Sequence, residues 1–324
     1  MMSLYLPISA LVAGMIGLIW GADKFIAGSA SLARSAGISS LVVGLTVVSI
    51  GTSAPEIIVS INAALKGSGE LAVGNALGSN IANIGLVLGI TLLIAPIPIQ
   101  KALLKQEGII LFAVTGLAGI CLYNDMLGRI ESILLMLLVI PLLILAAKYK
   151  KSLAESSESQ ITQSFSRNGA LISFAIGLIA LLACAELTVW GAKSIALSMG
   201  VSELVIGLTV IAIGTSLPEL AASVMSALRG HHDIAVGNII GSNLFNLLLV
   251  MGAAGAISPI ALDSQVFSRD YMAMAVLTLL MLIFMAAVLR NKLNRAQLPK
   301  AVGLVLLLAY CLYYVLLWCS TTGY

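Results

Sequence analysis

Residues 44–89 read GLTVVSIGTSAPEIIVSINAALKGSGELAVGNALGSNIANIGLVLG, and residues 207–252 read GLTVIAIGTSLPELAASVMSALRGHHDIAVGNIIGSNLFNLLLVMG. The stretches align without a gap at an offset of 163, and about 25 of the 46 positions are identical. Two unrelated apolar helices sharing only composition do not agree so closely, so the chain carries an internal duplication. Each copy holds one glutamate directly after a proline, Glu56 in GTSAPE and Glu219 in GTSLPE. An ionisable group at membrane depth is costly and is retained chiefly where it binds or moves something charged. The same offset continues upstream, matching Asp23 with Glu186, Gly28 with Gly191 and Gly37 with Gly200, so the helix before each motif belongs to the repeated unit.

The rest of the chain sets the medium. Of 324 residues, 60% are hydrophobic and only 10% charged, and the mean hydropathy is +1.09, which leaves too little polar surface to cover a water-soluble globule. Apolar runs long enough to cross a ~30 Å hydrocarbon core fall near 7–33, 38–65, 71–94, 108–124, 130–147, 169–198, 202–228, 234–256, 271–290 and 301–318. An all-α polytopic membrane protein with ten transmembrane helices in two sets of five is therefore expected. The first repeat covers 1–147, the second 169–324, and the polar stretch 148–168, KYKKSLAESSESQITQSFSRN, joins them. That connector is too short to form a regulatory domain, and its Ser, Glu and Gln content suits a flexible link.

With the N-terminus outside, inner loops would hold twelve Lys or Arg residues, from Arg34 to Lys300, against Lys66, Arg129 and Arg269 outside. The positive-inside rule favours that orientation. Five being odd, the second repeat crosses in the opposite sense to the first, an inverted pair that tends to place a shared site at the bilayer midplane. The helices at 108–124, 130–147, 271–290 and 301–318 show no comparable acidic pair and read as scaffold, with Tyr313, Tyr314 and Trp318 as an interfacial aromatic anchor. The N-terminal apolar run has no basic leader or small-residue cleavage site and reads as a first span. Four scattered cysteines without CxxC spacing suggest neither a disulfide framework nor a zinc site.

The repeated motif supplies oxygen ligands. Pro55 and Pro218 lack an amide hydrogen, so each frees a carbonyl one turn earlier, and broken backbone in lipid is tolerated only where protein or a water-filled cavity covers it. Thr52 and Thr215 stand four residues before the glutamates, on the same helix face. Ser53 and Ser216 add hydroxyls. In the following helix GSNxxN recurs, with Ser79 and Asn83 in one copy and Ser242 and Asn246 in the other. Carboxylate, hydroxyl, amide and carbonyl oxygens without thiolate or imidazole suit Na+, Ca2+ or Mg2+ and are poor for zinc or copper. His231, His232 and Asp233 sit in a short loop, which reads as solvated and dispensable for transport.

The paired motifs GTSAPE with GNALGSNIAN and GTSLPE with GNIIGSNLFN resemble the two alpha-repeats of the calcium/cation antiporter superfamily, prokaryotic sodium/calcium exchanger branch. The resemblance covers essentially the whole chain. It implies a central site with Glu56 and Glu219 as shared Ca2+ and Na+ ligands. It also implies flanking sodium sites completed by Thr52, Ser53, Thr215, Ser216, Ser79, Asn83, Ser242, Asn246 and the backbone carbonyls of Ser49 and Ala212, with the first helix of each repeat sliding over the other eight. Some relatives carry aspartate where this chain has Asn246, which leaves two carboxylates here. The expected function is Ca2+/Na+ antiport by alternating access, not an enzyme activity, in the plasma membrane or the inner membrane of a Gram-negative cell. H+/Ca2+ antiport and a cation channel are the alternatives. No cofactor, nucleic acid or obligatory protein partner is expected beside the transported ions and membrane lipid. Asp23 and Glu186 read as polar helix-end or packing residues.

Overall fold

The computed structural model describes residues 4–148, 166–200, 212–290 and 296–322, so most of the connector and the opening of the span expected at 202–228 lie outside the described residues. The helices are α1 (Tyr5–Ser35), α2 (Ser40–Thr52), α3 (Ala54–Leu65), α4 (Gly69–Ile94), α5 (Leu104–Leu122), α6 (Arg129–Leu137), α7 (Val139–Lys148), α8 (Arg167–Ser198), α9 (Ala212–Thr215), α10 (Leu217–Leu228), α11 (His232–Ile257), α12 (Val266–Arg290) and α13 (Lys300–Thr322). Among the described residues seven are long and apolar enough to cross a membrane, or eight spans if α2 and α3, bent by 46°, count as one. The run expected at 130–147 is interrupted at Leu138, between α6 and α7. Two short antiparallel bridges complete the fold, β1 (Ile97–Pro98) with β4 (Gln297–Leu298) and β2 (Met126–Leu127) with β3 (Ile260–Ala261).

The chain forms two compact units, and each takes elements from both halves of the sequence. The first comprises Met1–Pro55 and Leu145–Asn238. In it α1 and α8 pack antiparallel: Gly14 lies against Thr188, Gly21 against Leu181, Gly28 against Phe174 and Gly191 against Leu11. Small residues let the two backbones approach, the packing that membrane helices use in place of a hydrophobic drive. Phe25 and Phe174 pack with their rings tilted by 41° and centroids 5.1 Å apart, and Leu18, Ile26, Leu181 and Ile234 fill the core around them. Gly44 of α2 and Gly237 of α11 bring those helices together in the same way.

The second unit comprises Glu56–Ile144 and Ile239–Tyr324. Gly85 and Gly89 of α4 meet Tyr310, Leu307 and Gly303 of α13, while Gly252 and Gly255 of α11 meet Met136 and Ser132 of α6. Gly89 and Gly252 are duplicates of each other, so one packing device serves twice. Several helices widen into π-helical turns, at Asn83–Leu88, Leu104–Gly108, Asn246–Val250 and Val266–Tyr271. Such turns are rare and concentrate at functional positions.

Two expectations change here. The helices expected to start at 108 and 271 begin at Leu104 and Val266, which brings in Glu107 and Asp270, both buried and related by the 163-residue offset. Helices α5 and α12 therefore do carry an acidic pair. Arg269 bonds the Asp270 carboxylate at 2.7 Å and the Tyr313 hydroxyl donates to it at 3.0 Å. Tyr313 is thus a buried partner of α12, not an interfacial anchor, whereas Trp318 remains exposed.

Candidate functional site

Both glutamate motifs break their helices at the serine. Ser53 has φ −83° and ψ 6°, and Ser216 has φ −90° and ψ 3°. Pro55 and Pro218 then occupy the second residue of α3 and α10, where a missing N–H costs nothing because the first-turn amides have no partner inside the helix. Glu56 and Glu219 follow in those first turns, where the positive end of the helix dipole favours negative charge. Each is only 1% exposed.

In the first unit the Ser53 hydroxyl donates to Glu219 Oε1 at 3.0 Å. Among the described residues Glu219 Oε2 accepts no hydrogen bond. Asn238 ties the cluster together: its Nδ2 donates to Ser223 Oγ at 3.0 Å and to the Glu219 carbonyl at 3.5 Å, and its Oδ1 accepts from Thr52 Oγ1 at 3.2 Å. The Ser49 carbonyl accepts from Ser53 N at 2.9 Å, and the Ser49 hydroxyl donates to Leu45 O at 2.7 Å. Ser216 is buried, and its hydroxyl has no partner among the described residues. Thr215 closes α9, and Ala212 opens it.

The second unit repeats the glutamate support. Asn75 Nδ2 donates to the Glu56 carbonyl at 3.3 Å and to Ser60 Oγ at 3.1 Å, and Asn75 and Ser60 are the duplicates of Asn238 and Ser223. Ser79, Asn83, Ser242 and Asn246 are all buried, and Asn83 and Asn246 each open a π-helical turn. Asn80 and Asn243, their neighbours in GSNxxN, join them: Asn80 Nδ2 donates to Asn243 O at 3.2 Å, and Asn246 Nδ2 donates to Asn80 Oδ1 at 3.1 Å. The Oδ1 atoms of Asn83 and Asn246 accept nothing among the described residues.

Of the residues singled out in the sequence, Thr52, Ser53 and Glu219 meet in the first unit, with the Ser49 carbonyl turned to its own helix. The supporting amide side chains of Asn75, Asn238 and Asn80 escaped notice in the sequence, although each stands inside the quoted motif at the duplicated spacing. Asp23 forms an ion pair with Arg229, the residue that caps the C-terminus of α10, which agrees with a packing role. His231 departs from the solvated loop expected of it. It is buried, 9% exposed, and its carbonyl accepts from Ile234 N and Ala235 N at the start of α11. Burial, and then the nearby Arg34, Arg229 and His232, push its pKa below the usual 6.5.

The family described as sodium/calcium exchanger protein matches residues 6–148 and 169–319. The putative antiporter CaxA of Alkalimonas amylolytica is 41% identical over 96% of this chain and 98% of its own length. The sodium/calcium exchanger MaX1 of Methanosarcina acetivorans is 30% identical over 95% and 97%. The solved structure of the sodium-calcium exchanger NCX_Mj soaked with zero Na+ and Ca2+ superimposes with a TM-score of 0.81 at 31% identity, covering 97% of this chain and 99% of that one.

Proposed function

Because the chain belongs to the sodium/calcium exchanger family, the prokaryotic branch of the calcium/cation antiporters, we propose that it exchanges Ca2+ for Na+ across the plasma membrane by alternating access. Glu56 and Glu219 are the shared ligands, and Thr52, Ser53, Thr215, Ser216, Ser79, Asn83, Ser242, Asn246 and the carbonyls of Ser49 and Ala212 surround the ions. One observation carries the reading: a buried carboxylate, Glu219, receives a hydroxyl from the other half of the duplication, and its second oxygen accepts nothing among the described residues. A charge so placed is costly unless a cation meets it.

Two glutamates left ionised and unloaded would resist burial during a conformational change. One Ca2+ or two Na+ would balance them, so movement occurs only when ions are bound and exchange becomes obligatory. The antiparallel packing of α1 against its duplicate α8 supports a ten-helix plan of two inverted five-helix repeats. The excess of Lys and Arg in the loops on one side favours an outer N-terminus with the 148–168 connector inside.

Proteoliposomes loaded with Na+ and diluted into Na+-free medium containing 45Ca2+ test this. Uptake should appear, should not be driven by an outward H+ gradient alone, and should vanish in Glu219→Gln. Uptake driven by H+ alone would transfer the protein to proton-coupled exchange, and flux independent of any counter-ion would make it a channel.

A further inference from the structure

The four amide side chains of the two GSNxxN motifs are duplicates in sequence but not in bonding. A backbone carbonyl has lone pairs and no proton, so whatever faces it must donate. The Asn243 carbonyl faces the Asn80 side chain at 3.2 Å, so Asn80 must turn its Nδ2 there. Its Oδ1 then points the other way, and the only group of Asn246 that can meet an acceptor is Nδ2, at 3.1 Å. The Asn246 Oδ1 is thereby turned away from Asn80 into a buried position where it accepts nothing among the described residues. The orientation of Asn246 is dictated step by step from a main-chain carbonyl. The mirror arrangement is not made: neither Asn243 Nδ2 nor Asn243 Oδ1 has a partner among the described residues.

We infer that Asn80 is a positioning residue for ion binding, which holds the Asn246 carboxamide with its oxygen, not its nitrogen, toward the transported cation. This rests on the exchange function proposed above and adds a residue to it. An unheld amide presents either end, and its NH2 end repels a cation. A cation needs the oxygen, so fixing the rotamer beforehand removes an ordering cost from binding. The same logic governs an aspartate at 246. Its carboxylate would face the Asn80 oxygen, and neither oxygen has a proton to donate.

The test compares Asn80→Ala, Asn80→Asp and Asn243→Ala with the wild type in Na+-driven 45Ca2+ uptake, reading KM and maximal rate from pH 5.5 to 8. Asn80→Ala should raise KM about tenfold, the loss of roughly one well-placed buried hydrogen bond, with a smaller change in maximal rate. Asn243→Ala should stay near the wild-type KM, since its side chain has no hydrogen-bond partner among the described residues, although packing alone would make the duplicate positions respond alike. Asn80→Asp can restore both hydrogen bonds only when protonated. Its KM relative to wild type should therefore approach one as pH falls, while the ratio for Asn80→Ala stays flat. A wild-type KM in Asn80→Ala, or parallel pH courses for the two Asn80 variants, overturns the assignment. Absence of Na+-driven uptake in the wild type itself would instead sink the exchange reading and this one with it.

Discussion

Gly177→Ala should destabilise the protein although it adds a single methyl group. A Cβ built at Gly177 lies 2.2 Å from the Phe25 amide nitrogen, 2.6 Å from Phe25 Cα and 2.8 Å from the Lys24 carbonyl carbon. All three are backbone atoms, so no side chain can rotate away. Non-bonded carbon contacts relax near ~3.5 Å, so α1 and α8 must part locally by about 1.3 Å, the difference from 2.2 Å. A gap of about 0.5–1 Å already forfeits a quarter to a half of each dispersion contact. Lipid chains offer little in return, because close packing is what holds membrane helices together. An overpacking cost of about 2–3 kcal/mol follows. Gly116→Ala is the control. It sits on an exposed face of α5 with no atom within 4 Å of its added Cβ, and should gain about 0.5–1 kcal/mol from helix propensity. Thermal unfolding of purified protein in detergent, followed by tryptophan fluorescence, reads both, since Trp20 lies on α1 and Trp190 on α8. If Gly177→Ala melts at or above the wild-type temperature while Gly116→Ala behaves as expected, the close approach of α1 and α8 is wrong.

Tyr313→Phe removes the hydroxyl that donates to Asp270 but leaves the Arg269 pair. It should cost about 1–2 kcal/mol in the same melting assay, with Ca2+ uptake retained. His231 has a pKa depressed below 6.5, so the unfolded chain binds its proton first, and stability should decline as pH falls below about 6.5. Replacing it, His231→Ala, should flatten that part of the melting profile between pH 7.5 and 5.5. An unchanged slope would mean that the imidazole titrates as it does in the unfolded chain. Transport by a His231→Ala, His232→Ala variant should persist, as 45Ca2+ uptake would record.

The duplication is legible because its residues sit at fixed spacing whatever their environment, and it led directly to Glu56, Glu219 and the hydroxyls beside them. The same offset also relates Asn75 to Asn238 and Glu107 to Asp270, yet these pairs are visible only once burial is known. Lys105, Glu107, Arg269 and Asp270 lower the local hydropathy, and spans drawn by hydropathy stop short of them. In the fold Arg269 and Asp270 neutralise each other through a direct pair, so a membrane helix can include both. What a repeat cannot disclose is where its copies diverge in bonding. Asn80 reaches the Asn243 carbonyl, while the Asn243 side chain reaches nothing among the described residues, though the two stand at equivalent positions in identical GSN motifs. Five places beyond each asparagine the two copies already differ, with Gly85 in the first and Leu248 in the second. Gly85 lets Tyr310 of α13 close on α4, and a leucine at the duplicate position forbids that approach on α11. Two copies of one motif therefore pack against different neighbours, and a chain built from two related halves acquires unequal bonding in them.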